Sequence, residues 1–97
     1  MTRDEILRRM REHRAEIAER FAVEHLGLFG SAARDELAAE SDVDVLVAFK
    51  TPPSLASYLG LKRFLEDLVG RRVDLVTEGG LKPRARASVE RDLIRVA

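Results

Sequence analysis

The sequence predicts an α+β domain, with three strands and four helices in the order α-β-α-β-α-β-α packed around one core. Three observations carry that expectation. Apolar residues recur at helical intervals over residues 3 to about 20, among many arginines and glutamates. Three short runs of β-branched, aromatic and aliphatic residues, near residues 23–29, 42–49 and 72–77, are punctuated by glycine, proline and serine. The segments between the runs carry helix-start and helix-stop residues at the spacing a connecting helix needs.

Thr2 and Glu5 stand in capping-box spacing ahead of Ile6, Met10, Ile17 and Phe21, so one amphipathic helix is expected from residue 3 to about 20. Val23 to Phe29 reads as a short strand that stops at Gly30-Ser31, and a short helix is expected from Ala32 to about Ala39. Asp42 to Phe49 contains an apolar run too continuous for a strand wetted on one face, which predicts a central strand. Pro52-Pro53-Ser54 marks a loop and helix start, after which Leu55, Leu59, Leu61, Leu65 and Leu68 form a broad apolar stripe ending at a Gly70 C-cap. Arg72 to Thr77 reads as the third strand and Glu78-Gly79-Gly80 as a turn. Pro83 opens a last helix that runs to about Arg95.

Composition narrows the function. The 97 residues correspond to one domain, residues 1–97, with no linker, repeat or low-complexity stretch. Size scaling predicts a folded surface of about 5,600 Å². The 17 basic residues balance the 17 acidic ones, so the chain lacks the global positive charge of a protein that grips nucleic acid, and no direct nucleic-acid partner is expected. There is no cysteine, which excludes disulfides, thiolate zinc sites and a cysteine nucleophile; any metal must be held by oxygen. No export signal or membrane segment is visible, and a cytoplasmic location is expected.

Chemistry concentrates at the acids and one glycine turn. Asp42 and Asp44 are two positions apart, so on a strand their carboxylates share a face about 6.8 Å apart, an arrangement suited to divalent cations. The bland alternative is a turn aspartate plus a surface ion pair. An EF-hand is excluded because Leu46 and Val47 occupy positions that need an oxygen ligand and a glycine. A P-loop is excluded because no lysine follows Gly30-Ser31, and a haloacid-dehalogenase-type site is excluded because its apolar strand precedes its acids. Gly30-Ser31 sits between a strand and a helix, where free amides and the Ser31 hydroxyl could hold a phosphate; a plain serine N-cap is the simpler reading. Asp74 interrupts an apolar strand. It either joins Asp42 and Asp44 or forms an ion pair with Arg72 or Arg34.

These residues resemble the DNA polymerase β-like nucleotidyltransferase superfamily, specifically the minimal nucleotidyltransferases that accompany HEPN-domain proteins. The resemblance rests on Gly30-Ser31, the ten residues that follow, Asp42-x-Asp44 opening an apolar strand, and Asp74 in a later strand. It extends through Phe29 to Val47 and Gly70 to Pro83; Asp35 stands where the family often has glycine. The resemblance implies the nucleotidyltransferase fold, with a small mixed sheet of about three strands and packed helices. It also implies that Asp42, Asp44 and Asp74 are catalytic and ligate two Mg²⁺ ions, and that Gly30 and Ser31 hold the β- and γ-phosphates of ATP. Arg34 is a further candidate phosphate contact, with a solvated helix arginine as the alternative.

The family further implies AMP transfer to a protein acceptor, a partner HEPN toxin, with this chain as antitoxin in a hetero-oligomer. Two other readings stay open: a non-catalytic antitoxin that neutralises its partner by binding, and nucleotidyl transfer to a small molecule. Local charge is uneven. Residues 30–49 hold five acids against Arg34 alone, whereas residues 82–95 hold five basic side chains against Glu90 and Asp92. The acidic segment favours cations; the basic helix faces phosphates, an acidic partner or plain solvent.

Overall fold

Thr2 caps the first helix as its spacing predicts: the Glu5 amide donates to Thr2 Oγ1 at 3.3 Å, and the Thr2 hydroxyl donates to Glu5 Oε1 at 3.2 Å. In the computed structural model, which describes residues 1–97, the expected single N-terminal helix is two: α1 (Arg3–Glu12) and α2 (Arg14–Phe21). The break falls at His13, whose backbone leaves the helical region (φ −108°, ψ 9°). His13 Nδ1 lies 2.8 Å from the Arg9 carbonyl and its ring meets Phe64 edge-on at 6.2 Å. With that one-residue break, Ile6 and Met10 of α1 and Ile17 and Phe21 of α2 all reach the core.

The strands β1 (Val23–Phe29), β2 (Val43–Phe49), β3 (Val73–Thr77) and β4 (Ile94–Arg95) form one mixed sheet in the order β3-β2-β1-β4. β2 is antiparallel to β1 and parallel to β3, the latter connected through α4 (Leu55–Val69). β2 is interior, and Val45, Leu46 and Val47 are buried on both its faces, as the unbroken apolar run requires. Three expectations are corrected. The short helix α3 spans Gly30–Ala33 rather than Ala32 to about Ala39, because Asp35 adopts a left-handed backbone (φ 58°) through which a right-handed helix cannot continue. The last helix, α5 (Pro83–Asp92), stops three residues before Arg95, because Leu93 turns extended and Ile94 pairs with Leu28 in a fourth strand. Leu55 and Leu59 do not bury; they are 74% and 49% exposed, and only the later leucines of α4 reach the core.

Strand alternation divides the sheet into two faces. Val43, Val45, Val47, Val73 and Leu75 point with Leu26 and Leu28 into the main core beneath α1, α2 and α4. Each such side chain, fully buried, is worth about 1.5–3 kcal/mol over leaving it in water. Phe29, Leu46 and Val89 form a smaller cluster under α5, bordered by Val76, Leu81 and Leu93. The residues that alternate with the main-core valines, Asp44 and Asp74, therefore belong to the face that α5 crosses. The accessible surface is 5848 Å², near the expectation from size. No helix is long and apolar enough to cross a membrane.

Candidate active site

The parallel register of β2 and β3 places Asp44 opposite Asp74, on strands about 4.8 Å apart, so the two carboxylates lie side by side on one face. Asp74 is exposed and Asp44 half-buried. The two arginines weighed as partners for Asp74 are engaged elsewhere: Arg72 pairs with Asp42 at 3.3 Å, and Arg34 pairs with Asp92 and Glu36. Asp44 consequently resists ionisation. Burial, then the neighbouring charges of Asp74 and Asp42, push its carboxyl up to about 6, and Arg34 offsets this only in part.

A half-buried carboxylate flanked by like charges has the donor chemistry of a divalent-cation site, since hard oxygens bind such ions and a cation relieves the repulsion. The convergence expected of three acids is met for two. Asp42 precedes β2 and turns its carboxylate onto Arg72, lining a neighbouring cleft of about 530 Å³ with Arg71 and Arg72. As a result no three acids already stand together closely enough to hold an ion.

Gly30 meets Asp44 directly. A Cβ at Gly30 would overlap Asp44 Oδ2 and lie 3.2 Å from its Cγ, and Gly30 has φ +69°. Both the contact and the left-handed backbone require glycine. Ser31 is half-buried at the next position, in the first turn of α3, whose N-cap Phe29 supplies no side-chain cap. Arg34 closes the turn. Its Nη1 donates to Asp92 and its Nε to Glu36, and Asp92 also accepts Arg91 Nε at 3.0 Å and Nη2 at 3.1 Å. These bonds, those of Arg91 foremost, hold the Asp92 carboxyl below its usual range. Asp35 turns away from the site: its Oδ1 accepts the Arg3 amide at 2.9 Å, satisfying an N-terminal donor of α1.

A groove of about 330 Å³ opens over the paired acids, lined by Phe29, Asp44, Asp74, Val76 and, from α5, Lys82, Arg84, Ala85 and Ser88. Of these, Lys82, Arg84 and Ser88 were not singled out as site residues from the sequence. For Lys82 and Arg84 the only signal is the basic excess of residues 82–95, Ser88 carries none, and the face of α5 that meets the groove depends on how the helix crosses the sheet.

A mixed sheet that sets paired aspartates beside a glycine turn, under a basic helix, defines a nucleotidyltransferase. The chain belongs to the nucleotidyltransferase domain family, whose profile matches residues 10–96, and within it to the minimal nucleotidyltransferases. It is 42% identical over 96 residues to the protein adenylyltransferase MntA of Thermococcus cleftensis, covering 99% of this chain and 97% of that one. A solved minimal nucleotidyltransferase superposes with a TM-score of 0.78 at 41% identity, covering 97% of this chain and 95% of that one. The fold also matches a chain of the Shewanella oneidensis complex of a tri-AMPylated HEPN toxin with an MNT antitoxin. There the TM-score is 0.66 at 15% identity, covering 94% of this chain and 71% of that one.

Proposed function

We propose that residues 1–97 form one minimal domain that transfers AMP from Mg·ATP to a hydroxyl of a partner protein, a HEPN-type toxin, and thereby acts as its antitoxin. The observation that carries this reading is the register pairing of Asp44 with Asp74 beside Gly30. The 42% identical adenylyltransferase and the fold shared with a toxin–antitoxin complex support the acceptor class.

In this reading Gly30 lets the backbone approach the phosphates, Ser31 donates to them, and the Arg34 guanidinium offsets their charge. Asp42, Asp44 and Asp74 would hold two magnesium ions, with Asp42 leaving Arg72 to do so. When bound, such ions neutralise the attacking and leaving oxygens of an in-line displacement. The acceptor oxygen bonds to the α-phosphorus, the bond from that phosphorus to pyrophosphate breaks, and the hydroxyl proton passes to Asp74 and then to water.

Incubation with α-labelled ATP, Mg²⁺ and the partner toxin tests this reading. Label should move to the toxin, and Asp44→Asn should abolish the transfer; equal transfer by that variant would defeat it. The ion pair that engages Asp42 favours a second reading, neutralisation by binding alone. An Asp42→Asn/Asp44→Asn variant that protects against the toxin at equal dose would establish that reading instead.

A further inference from the structure

The direction in which α5 crosses the sheet divides the groove into two sides. α5 begins after β3 and ends at β4, which pairs with β1 on the far side of β2. Its C-terminal end is tied to the glycine turn through Asp92 and Arg34. Its N-terminal end carries Lys82, Arg84 and Ala85 into the groove with Asp74 and Val76 of β3. Arg34, held by two acids, therefore stands on the β1 side with Gly30 and Ser31, where pyrophosphate would leave. Lys82 and Arg84 stand on the β3 side, where the acceptor hydroxyl must enter.

Neither Lys82 nor Arg84 takes part in an ion pair, although Asp44 and Asp74 line the same groove. The basic residues that do pair, such as Arg72 and Arg91, lie outside it. The two cations balance the two acids in number but stand at the N-terminal end of α5, so the positive charge of the groove is gathered on one side of the reacting position. A segment whose hydroxyl arrives beside Asp74 brings its neighbouring side chains against Lys82 and Arg84, where an anion among them would be held.

We propose that Lys82 and Arg84 form an anion subsite on the acceptor side of the groove, selecting a protein segment whose hydroxyl neighbours a carboxylate or a phosphodiester. The inference rests on the transferase reading for the identity of that side, and it leaves the bonds made and broken unchanged. Its chemistry is shared by an acidic side chain and by a residue already bearing an adenylyl group.

Three synthetic hydroxyl-bearing peptides separate these sources: one flanked by glutamates, one by glutamines, and one glutamine-flanked but adenylylated. Binding is read by fluorescence anisotropy in Mg²⁺, and transfer by label from α-labelled ATP. The glutamate peptide, the adenylylated peptide or both should bind about fivefold more tightly than the neutral one, with the advantage falling as salt rises. Lys82→Gln/Arg84→Gln should erase that advantage while keeping ATP affinity within about twofold, and Lys62→Gln/Arg63→Gln, on the opposite face of the sheet, should preserve it. Thermal melting verifies that both variants fold. Equal affinity for all three peptides, or a Lys82/Arg84 variant that loses ATP affinity yet keeps peptide discrimination, would overturn the subsite. Label transfer without discrimination removes the subsite and leaves the transferase standing. Discrimination with no label transferred to the peptides or to the partner toxin would leave Lys82 and Arg84 as an anion-binding pair only, overturning both the acceptor role and the transferase reading.

Discussion

Asp44 Oδ2 occupies the space that a side chain on Gly30 would fill, so the glycine turn and the carboxylate are fitted to each other. Gly30→Ala should destabilise the fold by about 1–2 kcal/mol from the left-handed backbone alone, with the overlap added. The partner residue makes this testable. In an Asp44→Ala background the overlap disappears, so urea unfolding of the two single variants and the double should reveal coupling of about 1 kcal/mol.

Asp44 also gives the cation-free protein an unusual pH response. Its folded-state carboxyl, near 6, lies above the ordinary 3.8, so the native state binds this proton more tightly than the unfolded state. The resulting stability is fully present below about 3.8 and is lost as pH rises through 6. Asp92, whose carboxyl is lowered by Arg91 and Arg34, acts in the opposite sense, and its contribution disappears at lower pH. Denaturant midpoints measured without divalent cations should therefore rise as pH falls from 7 toward 5, and Asp44→Asn should flatten that rise.

Much of the site is legible in the sequence because its signals are local. Gly30-Ser31 and the acids beyond it can be read from spacing, and Asp44 sits on the predicted central strand. The pairing of Asp44 with Asp74 is different, since it depends on β2 and β3 lying in parallel register across the length of α4. Asp42 shows the limit of strand periodicity: the rule that places it beside Asp44 holds only inside a strand, and β2 begins one residue later, at Val43. The break at His13 was invisible because apolar spacing continues across it, and β4 because two residues carry no period. Leu55 and Leu59 belong to the apolar stripe of α4 yet stay exposed, because an apolar residue on a helix marks a core position only where another element covers it.

Arg34 is oriented by Asp92 and Glu36 while still reaching solvent, so its fork geometry should matter as well as its charge. Arg34→Lys is expected to raise the KM for ATP about tenfold with a smaller effect on kcat. Asp92→Asn should produce the same direction of change without touching the nucleotide, and should speed amide exchange in α5. Steady-state kinetics and hydrogen exchange on the two variants check both effects.

Arg72 competes with any cation for Asp42. Arg72→Ala should tighten Mn²⁺ binding roughly two- to threefold, because an exposed ion pair is weak and its loss frees a carboxylate. Excess chelator should abolish nucleotidyl transfer, and added Mg²⁺ should restore it without refolding. Titration calorimetry and the labelling assay read the two effects.

The most direct test of the account is Mn²⁺ titration, followed by electron paramagnetic resonance, in the presence of a non-hydrolysable ATP analogue. Wild-type chain should take up the cation with the nucleotide, and Asp44→Asn and Asp74→Asn should each weaken uptake by at least about tenfold. Wild-type affinity in Asp74→Asn would contradict the claim that the two register-paired aspartates act as one cation site.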